Sequence, residues 1–194
     1  AVWDARARSQ GTSLADLLGR RRDTVPAYGS GINLHYPLDE LVAQCERYVA
    51  AGSRAVKVKV GHPRLDDDLD RVAAVRAAIG PDVALRVDAN QRWSLEQAIV
   101  ASHALSAYDI DWLEEPLRAD DQLGHRELAR QSPIPLSVGE NLHTVHRFAD
   151  VIATGVAGVV QPNVVRVGGI TPFREVARLA ADAGVRLAPH LLPE

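Results

Sequence analysis

Ala55-Val56-Lys57-Val58-Lys59-Val60-Gly61, Leu65-Asp66-Asp67-Asp68-Leu69-Asp70-Arg71-Val72-Ala73-Ala74-Val75 and Ala84-Leu85-Arg86-Val87-Asp88 follow one another in the chain and read as strand, helix and strand. The first run is short, β-branched and stopped by Gly61. The second places Leu65, Leu69, Val72 and Val75 on one helical face, with aspartates in its first turns where the dipole favours them. The third is again short and apolar apart from Arg86 and its terminal acid. The alternation continues outward in both directions. Ser94, with Glu96 and Gln97 behind it, caps the next helix. Strands are expected around Trp112-Leu113, Pro135–Val138, Gly158–Val160 and Arg186–Ala188, separated by helices over 122–131, 144–154 and 171–183. Upstream, a strand near Val25–Ile32 and a helix over 38–51 complete the series.

Seven strands with six intervening helices imply a parallel sheet with right-handed crossovers, and seven such units without a reversal favour a closed barrel. The fold class is therefore α/β, an incomplete TIM-type (β/α)7β barrel. An eight-stranded barrel typically takes about 250 residues, and the chain has 194. Residues 1–24 read as a linker or tail leading into the barrel, and 25–194 as the partial barrel. With no Met in the chain, Ala1 is not expected to be the translation start.

Composition narrows the class. The chain is 46% apolar and 24% charged with a net charge of −3, which excludes a disordered tail and offers no basic stripe for nucleic acid. No run approaches the ~18 apolar residues of a membrane span. The single Cys45 excludes an internal disulfide framework and points to a reducing compartment, the cytoplasm by default.

Chemistry concentrates at the strand ends. Asp88, Glu114 and Glu140 are spaced by 26 residues, one βα unit per step, so they are expected side by side on the C-terminal rim, where barrel active sites lie. Three convergent carboxylates repel one another unless a cation joins them. An all-oxygen donor set suits Mg2+, with Mn2+ as an alternative. The bland alternative is that each acid merely caps the next helix. Of 22 basic residues 20 are Arg, and the two lysines, Lys57 and Lys59, stand at i and i+2 on one strand face. Mutual repulsion and a nearby cation would depress a lysine pKa towards that of a general base, a role Arg cannot fill. The alternative there is a solvated pair on an edge strand. His190, ending the seventh strand, is a candidate second acid or base. The other six histidines read as core or surface groups.

The order and spacing of Lys57-x-Lys59, Asp88-Ala89-Asn90, Glu114-Glu115-Pro116, Gly139-Glu140-Asn141, Gln161-Pro162-Asn163 to Gly168-Gly169-Ile170, and Pro189-His190 resemble the enolase superfamily. More narrowly they resemble its mandelate racemase subgroup, and within it the acid-sugar dehydratases of the L-talarate/galactarate type. The resemblance covers nearly the whole chain. It implies Asp88, Glu114 and Glu140 as Mg2+ ligands, Lys59 as a base with Lys57 as its electrostatic neighbour, and His190 as acid or base on the opposite face. The implied reaction is removal of the proton α to a carboxylate by a Lys or His base, through a metal-stabilised enediolate. Loss of water then leaves a 2-keto-3-deoxy acid from a small-molecule sugar acid, an aldarate or aldonate.

The subgroup pairs its histidine with an aspartate where this chain has Asn163. The amide is expected to accept a hydrogen bond from the ring without stabilising an imidazolium, leaving His190 a weakened acid. The resemblance also implies an N-terminal capping domain and a last strand outside this sequence. A homo-oligomer is expected for the full-length protein, and the isolated chain is expected to be marginally stable and poorly active. The alternatives are a racemase or epimerase of a 2-hydroxy acid, or a non-catalytic truncated remnant. A Schiff-base aldolase would not need three metal-spaced carboxylates.

Overall fold

The computed structural model describes residues 1–190, so the last four residues of the expected barrel segment lie outside the described residues. Helices α1 (Val2–Ser9) and α2 (Leu14–Leu17) occupy the segment read as a linker. Helix α1 is anchored at a distance of 168 residues by a hydrogen bond from the Trp3 indole to Thr171 Oγ1 (2.9 Å). The barrel units follow as β1 (Gly29–Ser30), α3 (Leu38–Ala50), β2 (Ala55–Lys59), α4 (Leu65–Ile79), β3 (Ala84–Asp88), α5 (Leu95–Leu105), β4 (Ile110–Glu114), α6 (Gln122–Gln131), β5 (Leu136–Val138), α7 (Val145–Ala153), β6 (Val159–Val160), α8 (Ile170–Asp182) and β7 (Arg186–Leu187). A short 3-10 turn, Ser106–Tyr108, leads from α5 into β4.

All seven strands pair in parallel in chain order. The result is an open half-barrel flanked by helices, the expected (β/α)7 alternation. Among the described residues no strand joins β7 to β1. Nor is any helix among them long and apolar enough to cross a membrane. The first strand is much shorter than Val25–Ile32, because Gly29 and Ser30 alone reach β2, pairing with Val56 and Lys57. Ser94 caps α5 in a full capping box with Gln97, which satisfies two of the donors orphaned at a helix start.

Strand alternation sorts the side chains. Val56, Val58, Leu85, Val87 and Leu113 are fully buried in a cluster with Leu41, Val72, Val75, Ala98 and Leu105 of the helices. Each such aliphatic side chain contributes roughly 1.5–3 kcal/mol. Their partners in alternation, Lys57, Lys59, Asp88, Trp112 and Glu114, meet one another on the inner face. A second cluster around Phe148, Val151, Val160 and Val176 supports the β5–β7 side.

One irregularity makes this sorting work in β4. Leu85 pairs with Ile110 but Arg86 pairs with Trp112, so Asp111 is an inserted bulge residue. In a regular strand without the bulge, Ile110 and Trp112, two residues apart, would share a face. With it, Ile110 joins the outer core while Trp112 and Glu114 turn inward. Asp111 itself receives Arg86 Nε at 2.9 Å and Arg186 of β7 at 2.5 Å. The Arg86 guanidinium lies 3.7 Å from the Trp112 ring centroid and 4.4 Å from that of Tyr28.

Candidate active site

Asp88 and Glu114 end β3 and β4 as a direct register pair, and Lys59 pairs with Asp88. Both carboxylates are fully buried. Lys59 Nζ lies 2.5 Å from Asp88 Oδ2, while Lys57 Nζ bonds Glu114 Oε1 and stands 3.4 Å from Asp88 Oδ2. The remaining oxygens are also engaged. Asp88 Oδ1 accepts from Asn90 N at 2.8 Å. Glu114 Oε2 accepts from Trp112 Nε1 at 3.1 Å and from Gln161 Nε2 at 2.7 Å, and Gln161 Oε1 in turn accepts from Ser137 Oγ at 2.5 Å. The turns behind the strands hold Asn90 at φ +45°, Gln91 at +63° and Glu115 at +36°, an uncommon backbone region for residues with side chains.

Burial and charge oppose one another in this cluster. Burial pulls the Lys57 ammonium towards neutrality, but the Glu114 and Asp88 charges outweigh it and hold its pKa above the ordinary lysine value. Lys57 is thus held as a cation by the two carboxylates it contacts. Asp88, despite burial, is held below the usual carboxylate range by Lys57 and Lys59. Glu114 is raised by burial and by the Asp88 charge.

Glu140 follows the end of its strand rather than closing it as Asp88 and Glu114 do. Glu114 pairs with Ser137, and β5 ends at Val138, so Glu140 lies in the loop beyond it. The intervening Gly139 has φ +142°, and a Cβ there would meet the Gln161 nitrogen at 2.7 Å. Glu140 Oε2 sits 3.2 Å from His190 Nε2, and its Oε1 takes Asn141 Nδ2 at 3.3 Å. Among the described residues, no three His, Cys, Asp or Glu side chains are gathered closely enough to hold a metal ion. Two of the three expected ligands are thus in direct register, and the third lies in the loop just after β5. The donor chemistry still suits a hard divalent cation, since every candidate ligand atom is a carboxylate oxygen. The two ammoniums stand against the same oxygens such an ion would use.

His190 follows β7 and bridges in parallel to Asn163 after β6. Burial lowers its pKa, with Glu140 opposing and Lys57 and Arg166 adding to the depression. Asn163 Nδ2 lies 3.2 Å from His190 Nδ1, while Asn163 Oδ1 accepts from the backbone of Val165 at 2.9 Å and of Arg166 at 3.1 Å. The amide therefore donates to the ring, where it was expected to accept from it.

Sequence reading missed the group around Glu115. That carboxylate is buried between Gln91 Nε2 (2.9 Å) and Asn141 Nδ2 (2.7 Å), and burial followed by the Glu140 charge pushes its pKa up to about 7. Gln161 was missed as well, although a polar residue closing the apolar run Val159-Val160 was a visible signal. Of the other histidines, His125 is buried with Nδ1 against Asp121 O (2.7 Å). His62 Nδ1 is 2.6 Å from Asp68 Oδ1, and Asp68 also accepts from Gly61 N at 2.8 Å, tying the loop that follows Lys59.

Comparison with known proteins agrees with this architecture. Residues 40–194 match the family model described as enolase C-terminal domain-like. The chain is 40% identical over 190 residues to the 3,6-anhydro-alpha-L-galactonate cycloisomerase of Streptomyces coelicolor, covering 98% of this chain and 53% of that protein. It is likewise 40% identical over 195 residues to the L-talarate/galactarate dehydratase of Salmonella typhimurium, covering 100% and 49%. The structure of a racemase from Streptomyces coelicolor with bound magnesium superposes with a TM-score of 0.95 at 40% identity, over 99% of this chain and 54% of that one. The chain thus spans about half the length of the relatives it matches. It belongs to the enolase C-terminal domain-like family, in the mandelate racemase/muconate lactonizing enzyme subgroup of the enolase superfamily.

Proposed function

We propose that this chain is the proton-abstracting, metal-binding part of a Mg2+-dependent acid-sugar dehydratase, a hydro-lyase acting on an aldarate or aldonate. The observation that carries the reading is the buried inner-face quartet, in which the only two lysines of the chain meet Asp88 and Glu114. A structural ion pair needs neither four titratable groups nor two lysines at one strand end, and burying them is costly without a use. Support also comes from the dehydratase relative and from the structure of the L-talarate dehydratase of Polaromonas with Mg and L-glucarate.

Asp88, Glu114 and Glu140 would hold the Mg2+, with Mn2+ as a substitute. When bound, the ion acts as a Lewis acid towards the substrate's carboxylate and makes the α C–H more acidic. The protein's own groups do the rest. Lys59, at 14% side-chain exposure against 6% for Lys57, is the lysine placed to meet a substrate and take its α-proton. Lys57, enclosed between Glu114 and Asp88, holds positive charge beneath it. Gln161 and Trp112 fix the Glu114 carboxylate, and His190 faces the mouth from the β7 side beside Glu140. Loss of the β-hydroxyl as water leaves a 2-keto-3-deoxy acid. The single buried Cys45, its thiol pushed up to about 11 by burial, fits a reducing compartment, the cytoplasm.

The test is incubation of the full-length protein with Mg2+ in D2O against a panel of aldarates and aldonates, followed by NMR. Deuterium at the α-carbon together with 2-keto-3-deoxy product on one or a few acids is the expected result. Silence across the panel, with Mg2+ binding demonstrated separately, would reject the substrate class.

A further inference from the structure

We propose that Asn163 locks His190 as a neutral Nε2–H hydrogen-bond donor, so that the site removes α-protons from the Lys59 side alone. The proposal rests on the reading of the site given above, and it extends that reading to the stereochemistry of proton removal.

The groups around Asn163 have hydrogen-bonding roles that are not adjustable. A backbone N–H can only donate, so the Asn163 atom receiving the Val165 and Arg166 amides at 2.9 and 3.1 Å is the oxygen. This fixes the orientation of a side chain whose two ends otherwise look alike. The NH2 end then faces His190 Nδ1 at 3.2 Å, and an NH2 group is only a donor. Nδ1 must therefore present its lone pair, which places the ring proton on Nε2. The other side of the ring agrees: Nε2 points at Glu140 Oε2 at 3.2 Å, and a carboxylate oxygen accepts.

A neutral imidazole in this tautomer has no lone pair on Nε2, so it cannot take a proton there. The opposite tautomer would set Nδ1–H against the Asn163 NH2, donor facing donor. Turning the amide over to relieve that would surrender both backbone hydrogen bonds to Oδ1. Asn163 is thus a positioning residue, held by the first residues of the loop leading to α8. The α-proton passes to the lone pair of Lys59 Nζ in its neutral amine form, the C–H electron pair staying on the substrate, and His190 offers only a hydrogen bond from the other face. Racemisation or epimerisation needs a proton acceptor on each face, and the His190 face lacks one.

Two readouts test this on the full-length protein. The first requires no turnover: long-range 1H–15N correlation of the 15N-labelled protein shows which ring nitrogen carries the lone pair, with His190 assigned from the signals lost in His190→Gln. The lone pair is expected on Nδ1 in the wild type. In Asn163→Asp it should move to Nε2, because a carboxylate there accepts from Nδ1–H. An Nδ1–H ring in the wild type, or a mixture like that of free imidazole, overturns the proposal, and that spectrum decides even where the variant does not fold. The second is α-deuterium incorporation from D2O into the two α-epimers of an acid that supports exchange. The epimer whose proton faces His190 should exchange slower by roughly a hundredfold, with the gap narrowing in Asn163→Asp. Comparable rates for both epimers overturn the proposal. Absence of exchange with every acid rejects the dehydratase reading instead, and the nitrogen signals alone then decide the tautomer.

Discussion

Lys59 Nζ and Asp88 Oδ2 lie 2.5 Å apart across a direct register pair of β2 and β3, so the group proposed to remove the proton leans on a group proposed to hold the metal. An ammonium and a divalent cation compete for the same oxygen. Lys59→Met should therefore abolish α-proton exchange while tightening Mg2+ binding by roughly tenfold, about 1.4 kcal/mol and well within the Coulomb energy of one close charge pair. Isothermal titration calorimetry on the variant checks it. Unchanged or weaker Mg2+ binding would show that Asp88 is not a ligand, or that Lys59 does not contend for it.

Gln161 spans Ser137 and Glu114 through hydrogen bonds at 2.5 and 2.7 Å, all three side chains being fully buried. Gln161→Leu keeps the volume and removes both bonds, leaving a buried hydroxyl and a buried carboxylate short of a partner. The expected cost is roughly 2–4 kcal/mol, read from urea denaturation. A change under about 1 kcal/mol would mean that Glu114 finds another donor as the site relaxes.

The elements were more legible than the rim. Strand β3 and the Ser94 cap could be read from local pattern because alternation and capping chemistry are local. The placement of Glu140 could not, since equal spacing of 26 residues hides a β5 that is three residues long and a Gly139 whose backbone is pressed against Gln161. The tautomer of His190 was equally hidden, since it depends on the amides of Val165 and Arg166 folding back onto Asn163. The pull of Asp88 and Glu114 on Lys57 was hidden too, because repulsion between neighbours on one strand shows in the spacing, whereas these carboxylates arrive from β3 and β4.

Glu115 carries a pH dependence with a definite sign. Its pKa is about 7 in the fold against 4.5 for the free side chain, so between those values the native state holds the extra proton. Stability must then fall as pH rises through that window. With each pKa unit worth 1.36 kcal/mol, the loss is about 3 kcal/mol at most. Glu115→Gln keeps one accepting oxygen for Gln91 or Asn141 and removes the titration. Denaturation midpoints at about pH 5 and about pH 8 should converge in the variant and diverge in the wild type. Equal pH slopes in the two proteins would sink the assignment.

Asp111 joins β3, β4 and β7 at the floor of the half-barrel, and its two arginines are not equivalent. Arg86 is 16% exposed, stacked between Tyr28 and Trp112, whereas Arg186 is 49% exposed on β7. Exposed pairs typically contribute well under about 1 kcal/mol, while removing one partner of an enclosed pair strands the other charge. Burial would raise the Asp111 pKa, but Arg186 and Arg86 outweigh it and hold the carboxyl low. The stability these pairs contribute is therefore present at neutral pH and lost as pH falls through that lowered pKa. Double-mutant cycles to Ala should give an Arg86–Asp111 coupling of roughly 1–2 kcal/mol and an Arg186–Asp111 coupling below about 0.5 kcal/mol. The reverse order would mean that the long-range tie from β7, rather than the stacked arginine beside it, is what holds the bulge and turns Trp112 and Glu114 into the site.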